Sequence, residues 1–133
     1  EYVLVEFWYS VTRDIFENAV SQLFRHGFIP IVAHIERYAL FHRNLGFVLS
    51  LKENYEVYYQ ANCDFILQRK SITSQHLRHR LLNKKVIDFV ATDAHSVSYR
   101  PPRLSQTADY LGNQKGLCRL IPIEDDMLLY NER

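Results

Sequence analysis

Three places in this sequence set a carboxylate or an imidazole at the end of an apolar, β-forming run. Asp93-Ala94-His95 closes the run that starts at Val86, His34 follows Ile29-Pro30-Ile31-Val32-Ala33, and Glu6 follows Tyr2-Val3-Leu4-Val5. At a strand end, residues two apart point to the same side, so the Asp93 carboxylate and the His95 imidazole converge on one space. Carboxylate with imidazole is the donor mix that suits manganese, iron or zinc, and a bridging glutamate can hold two ions close together. Each place also has an ordinary reading. Asp93 could brace a loop beside a solvent-facing His95, His34 could be a satisfied core histidine, and Glu6 a surface carboxylate. Their shared position at strand ends is what favours the metal reading.

The elements that must carry these residues alternate. Strands are predicted over 2–5, 29–33, 57–61 and 86–92. A helix is predicted over 14–26, with apolar residues at 15, 16, 19, 20, 23 and 24, Thr12 able to cap it and Gly27 to stop it. Residues 36–53 read as one or two helices broken near Asn44-Leu45-Gly46. Residues 71–83 read as a basic helix with Leu77, Leu81 and Leu82 on its buried side. After Pro101-Pro102 a helix fits 104–111, then a loop over 112–116, and a short terminal helix over 123–130. Alternation of this kind implies parallel strands with right-handed crossovers. The strands share polar residues at their ends, Gln60 and Asn62 among them, which favours the mouth of a (β/α) barrel over a doubly wound sheet.

Composition bounds the rest. The chain has 133 residues, 47% hydrophobic and 23% charged, with nine Tyr and eight Phe to fill a core. This is the profile of one ordinary globular domain. Sixteen basic against fifteen acidic residues leave a formal charge of +1, so nothing in the balance argues for nucleic acid or an anionic membrane. The basic run Arg69-Lys70, Arg78-His79-Arg80 and Lys84-Lys85 reads as a solvated helix face, and Tyr58-Tyr59 as core. Cys63 and Cys118 sit far apart in no C-x-x-C spacing, which fits a reducing cytoplasm. No segment is apolar for long enough to span a bilayer, and no signal-peptide pattern opens the chain. The first residue is not Met and the first residues already read as a strand, so the chain is expected to be a fragment.

Taken in order and spacing, Tyr2-Val3-Leu4-Val5-Glu6-Phe7, Ile31-Val32-Ala33-His34-Ile35-Glu36-Arg37-Tyr38, Gln60-Ala61-Asn62, and Ala91-Thr92-Asp93-Ala94-His95 with Arg100-Pro101-Pro102 resemble one family. It is that of the bacterial metal-dependent protein-tyrosine phosphatases of capsule and exopolysaccharide loci, members of the polymerase and histidinol phosphatase (PHP) superfamily. The resemblance runs from residue 1 to about residue 115. It implies an α/β fold, a distorted TIM-like (β/α)7 PHP barrel. Residues 1–133 would form the C-terminal part of that single domain, without the N-terminal strands and their H-x-H metal motif. His26, His42, His76 and His79 lie on helical stretches and are poor substitutes for it.

By the same resemblance Glu6 would be the bridging metal carboxylate, His34 a strand-end metal ligand, and Asp93 with His95 the closing pair. Arg37 and Arg100 would hold the substrate phosphate, a role suited to a planar, bidentate, permanently charged donor; the ordinary reading of each is a surface salt bridge. Gln60 and Asn62 would order the ligands or the loop, or simply make strand-end hydrogen bonds. Ile35 stands where the family usually has Pro, a change that removes no metal-binding atom. The implied cofactors are two or three divalent ions, manganese by resemblance, that activate a hydroxide to attack phosphorus. The implied substrate is a phosphotyrosine protein, a cytoplasmic tyrosine kinase controlling polysaccharide export, with no nucleic acid or membrane insertion and oligomeric state open. Two other readings stay open: a different PHP phosphoesterase such as a histidinol-phosphate phosphatase, and a metal-poor remnant that binds or regulates without turnover. An incomplete barrel exposes a sheet edge, so poor solubility or dependence on the missing part is expected.

Overall fold

The computed structural model describes residues 1–67, 71–96, 98–99, 101–113, 121–124 and 127–129. The chain divides into two compact units, Glu1–Gln60 and Ala61–Arg133.

The first unit opens with β1 (Tyr2–Val5), α1 (Arg13–Arg25) and β2 (Ile29–Val32). A 3-10 turn (Ile35–Arg37), α2 (Ala39–Arg43), α3 (Leu45–Asn54) and β3 (Tyr58–Asn62) follow, and the boundary between the units falls inside β3. β1 pairs parallel with β2, Tyr2 opposite Ile29 and Val5 opposite Val32, and β2 pairs parallel with β3, Ile31 opposite Tyr58. The expected parallel crossovers are therefore present here. Pro30 lies in the middle strand of this trio, where a missing N–H usually breaks a ladder. Ile29 and Ala33 donate to Glu1 and Val5 on the β1 side, so Pro30 faces the β3 side, where pairing begins only at Ile31.

α1 stops as its sequence suggests. Gly27 has φ 81, and the Phe28 and Gly27 amides donate back to the Leu23 and Phe24 carbonyls, closing the last turn. Thr12 occupies the N-cap position but its side chain makes no capping bond. The core of the unit is aromatic. Phe16 lies between Phe7 (4.6 Å) and Phe41 (5.9 Å), and Phe41 meets Tyr59 edge-on at 5.0 Å. Rings in offset or edge-to-face contact add to the burial of their area.

In the second unit α4 (Cys63–Leu67) follows β3 directly, a helix the sequence pattern did not announce. α5 (Ile72–Asn83), β4 (Phe89–Ala91), α6 (Leu104–Gly112), β5 (Ile121–Glu124) and β6 (Met127–Leu129) complete it. Ser71 caps α5, its hydroxyl accepting from the Ser74 amide at 3.1 Å.

Three expectations are corrected. The short helix over 123–130 is replaced by strands: β6 pairs antiparallel with β4, Ala91 opposite Met127, and β5 pairs antiparallel with β6. An eight-residue helix is marginal alone, whereas an open strand edge offers ready hydrogen-bond partners. The strands are consequently not all parallel. The basic helix is not wholly a solvated face either, because Arg78 is buried at 3% exposure. Its Nη1 donates to the Ile66 carbonyl at 3.0 Å and its guanidinium lies 5.9 Å from the Tyr110 ring centre. Position 78 precedes Leu81 and Leu82 by three and four residues, so it belongs to their helical stripe. No helix among the described residues is long and apolar enough to cross a membrane.

Candidate functional site

The first pair of candidate ligands is built by the register of β1 and β2. Two parallel strands aligned at Val5 and Val32 deliver Glu6 and His34 at their C-terminal ends. The His34 Nε2 lies 3.3 Å from Glu6 Oε1. At His34 the chain leaves the strand, adopting a left-handed backbone (φ 46, ψ 49) before the 3-10 turn. Its amide points to the β3 side, as alternation along β2 requires, and donates to Gln60 Oε1 at 2.9 Å. Gln60 is buried and supplies from its side chain the acceptor that a bent strand no longer finds in a backbone.

Arg37 ends the 3-10 turn and brings Nη1 to 3.9 Å from Glu6 Oε1. Ile35 is fully buried, so it serves as a core residue beneath the turn. Tyr38 is buried too, and its hydroxyl accepts from the Phe7 amide at 3.0 Å, fixing the chain just after Glu6. Burial holds its phenol above the ordinary value of 10.0, and the nearby Glu6 charge adds to that, while the Phe7 amide opposes it.

The second pair lies in the second unit. Asp93 follows β4 by two residues with φ 46, and its Oδ1 lies 3.6 Å from His95 Nε2. Its other oxygen, Oδ2, accepts from Asn62 Nδ2 at 3.2 Å. Asn62, the last residue of β3, is buried. Beyond His95, Ser96 and Tyr99 close a turn, with the Tyr99 amide donating to Ser96 Oγ at 2.8 Å. Asp93 and His95 do approach one another, though through a left-handed backbone after a three-residue strand rather than through strand alternation.

Donors sharing one ion at metal–ligand distances near 2.1 Å lie about 3.0–3.5 Å apart. The Glu6–His34 separation falls in that range, and the Asp93–His95 separation lies just beyond it. Among the described residues no group of three or more His, Cys, Asp or Glu side chains has metal-site spacing. Arg100 lies outside the described residues, as does Cys118. Of the other histidines, His26 Nδ1 and His42 Nε2 lie within hydrogen-bond distance of the Gln22 and Glu36 carbonyls, at 2.7 and 2.9 Å.

Cys63 is a buried free thiol. Burial pushes its pKa up, with a Thr107 side-chain hydrogen bond opposing. A thiol held protonated and out of solvent is a poor nucleophile. Sequence reasoning did not find the Tyr38 hydroxyl contact or the left-handed backbone at His34 and Asp93. Their residue types carry one signal, since Asp and His enter that region more readily than most side chains.

Comparison with known proteins places this geometry in a family. Residues 1–123 match the family described as capsular polysaccharide synthesis, CpsB/CapC. The tyrosine-protein phosphatase CpsB of Streptococcus agalactiae is 31% identical over 111 residues, covering 80% of this chain and 45% of that protein. Its namesake from Streptococcus pneumoniae is 25% identical over 120 residues, covering 86% and 49%. A solved structure superposes with a TM-score of 0.74 at 26% identity, covering 86% of this chain and 46% of the other. It comes from a study of YwqE from Bacillus subtilis and CpsB from Streptococcus pneumoniae, described as unique metal-dependent tyrosine phosphatases. The chain spans about half the length of the curated relatives it matches. The match over 123 residues settles the assignment: this chain belongs to the CpsB/CapC family of capsular polysaccharide synthesis.

Proposed function

We propose that this chain is part of a metal-dependent phosphatase acting on phosphotyrosine in a protein, and that it forms part of a distorted (β/α)7 barrel. The observation that carries the reading is the pairing of carboxylate with imidazole after β1 and β2, at a separation a shared cation allows, and again after β4 at 3.6 Å. Relatives named as tyrosine-protein phosphatases support the reaction class.

In this reading Glu6, His34, Asp93 and His95 hold divalent ions, manganese by preference, two or three in number. Bound there, such ions would supply Lewis acidity and lower the pKa of water. Gln60 fixes the backbone at His34 and Asn62 orients the Asp93 carboxylate, so both ligands are held before metal arrives. Arg37 and Arg100 neutralise the phosphate oxygens as charge builds on them. Arg37, beside the Glu6 carboxylate, is held where an anion bound to the same cations would meet it. Cys63, buried and protonated, takes no part. A tyrosine kinase of polysaccharide export in the cytoplasm is the partner this chemistry would serve.

The test is Asp93→Ala in the polypeptide that carries this chain. Phosphate release from a phosphotyrosine peptide should fall by more than about a hundredfold, and bound manganese should fall by elemental analysis. Unchanged metal content and rate would sink the assignment, and a clear preference for histidinol phosphate over the peptide would overturn the substrate.

A further inference from the structure

The segment directly after Glu6 carries a feature the metal chemistry does not use. Trp8 is 88% exposed and Tyr9 68% exposed, two large aromatic residues consecutive in sequence at a surface turn. Exposed large aromatic residues beside a candidate site are available to contact a bound ligand. Trp8 is also the only tryptophan in the chain.

The turn is held on both sides. Before it, Phe7 packs against Phe16 with ring centres 4.6 Å apart, and its amide donates to the Tyr38 hydroxyl. Within it, the Val11 amide donates to the Trp8 carbonyl at 3.0 Å. Beyond it, the Ala39 amide donates to the Tyr9 carbonyl at 3.4 Å. Residues 38 and 39 follow Arg37 in sequence, so the turn is stitched to the two segments that bear Glu6 and Arg37. An exposed aromatic pair on a fixed backbone loses little entropy when it binds, which is what a recognition surface needs.

We propose that the Trp8–Tyr9 turn recognises the aromatic ring of the phosphotyrosine side chain, and so selects phosphotyrosine over phosphoserine and phosphothreonine. The proposal rests on the phosphatase reading and adds the substrate's ring to it. Arg37 and the cation ligands address the phosphate, which all three phosphoamino acids share; only the ring distinguishes tyrosine. Stacked or edge-on aromatic contact gives about 0.5–1.5 kcal/mol beyond burial, enough for a discrimination of roughly three- to tenfold.

Binding is read in the polypeptide carrying this chain as the tryptophan fluorescence change that Trp8→Phe removes, excited where phenyl phosphate does not absorb, during titration with O-phosphotyrosine, O-phosphoserine and inorganic phosphate in the presence of manganese. The expected result is a saturable change with O-phosphotyrosine that the other two do not produce. In kinetics, Trp8→Ala should lower the ratio of kcat/KM for a phosphotyrosine peptide over the matching phosphoserine peptide by about three- to tenfold, with Trp8→Phe retaining most of it. An unchanged circular dichroism spectrum of Trp8→Ala separates loss of recognition from loss of fold. No fluorescence response to O-phosphotyrosine, or an unchanged ratio in Trp8→Ala, overturns the proposal. Phosphate release from the peptide is measured separately. Its absence with the fluorescence response retained strikes the phosphatase reading, whereas release with no response strikes the ring platform alone.

Discussion

His34 and Asp93 hold left-handed backbone that L-residues avoid at a cost of about 1–3 kcal/mol. Lys85 is the other non-glycine residue with positive φ among those described, and it follows α5 as an ordinary helix stop. The two candidate ligands end no α-helix, so their strain needs another reason, and aiming an imidazole and a carboxylate out of a strand end supplies one. If so, His34→Gly should be more stable than His34→Ala by about 1 kcal/mol in urea unfolding, while both lose manganese affinity. Equal stabilities would remove the strain from the account. Tyr38 makes a second prediction. Its phenol titrates above 10.0 when folded, so above about pH 10 the unfolded chain binds fewer protons than the folded one. The stability the neutral phenol contributes is complete below that pH and is lost as pH rises through the raised value. Tyr38→Phe should flatten the alkaline limb of a stability–pH curve and cost about 1 kcal/mol at neutral pH, the Phe7 amide losing its acceptor. The donor types at Glu6, His34, Asp93 and His95 were legible in the sequence because polar residues at the ends of apolar runs stand out. The roles of Gln60 and Tyr38 were not, since a side chain replacing a backbone acceptor depends on where the neighbouring segment lies, not on local pattern.

At the scale of elements, helix ends followed local chemistry where local chemistry was strong. Gly27 and Lys85 close α1 and α5 in the same way: the Val86 and Lys85 amides donate to the Leu81 and Leu82 carbonyls, as Phe28 and Gly27 do to Leu23 and Phe24. Only one of the two positions has the residue that suits it. Lys85→Gly should therefore stabilise the chain by about 1 kcal/mol, read as a raised urea midpoint with unchanged slope. A lowered midpoint would mean the Lys85 side chain contributes contacts that outweigh the backbone cost. The parallel β1–β2–β3 arrangement was readable from strand–helix alternation. β5 and β6 were not, because Ile121–Glu124 and Met127–Leu129 are too short for periodicity to separate helix from strand, and pairing with β4 decided the outcome. Arg78 was misjudged by charge, although its spacing from Leu81 and Leu82 marked it for burial.

For the whole molecule, the two compact units each carry one pair of candidate ligands with a buried amide side chain behind it, Gln60 in one and Asn62 in the other. A charge balance of +1 gives the chain little overall attraction for an anionic polymer, so under the proposed function phosphate recognition would rest on placed groups. In the proposed function these groups serve hydrolysis that depends on divalent metal. The direct measurement is phosphate release from a phosphotyrosine peptide by the polypeptide carrying this chain, before and after exhaustive chelation and again after manganese is restored. Activity is expected to disappear on chelation and to return with manganese. Undiminished turnover in the chelated protein would contradict it.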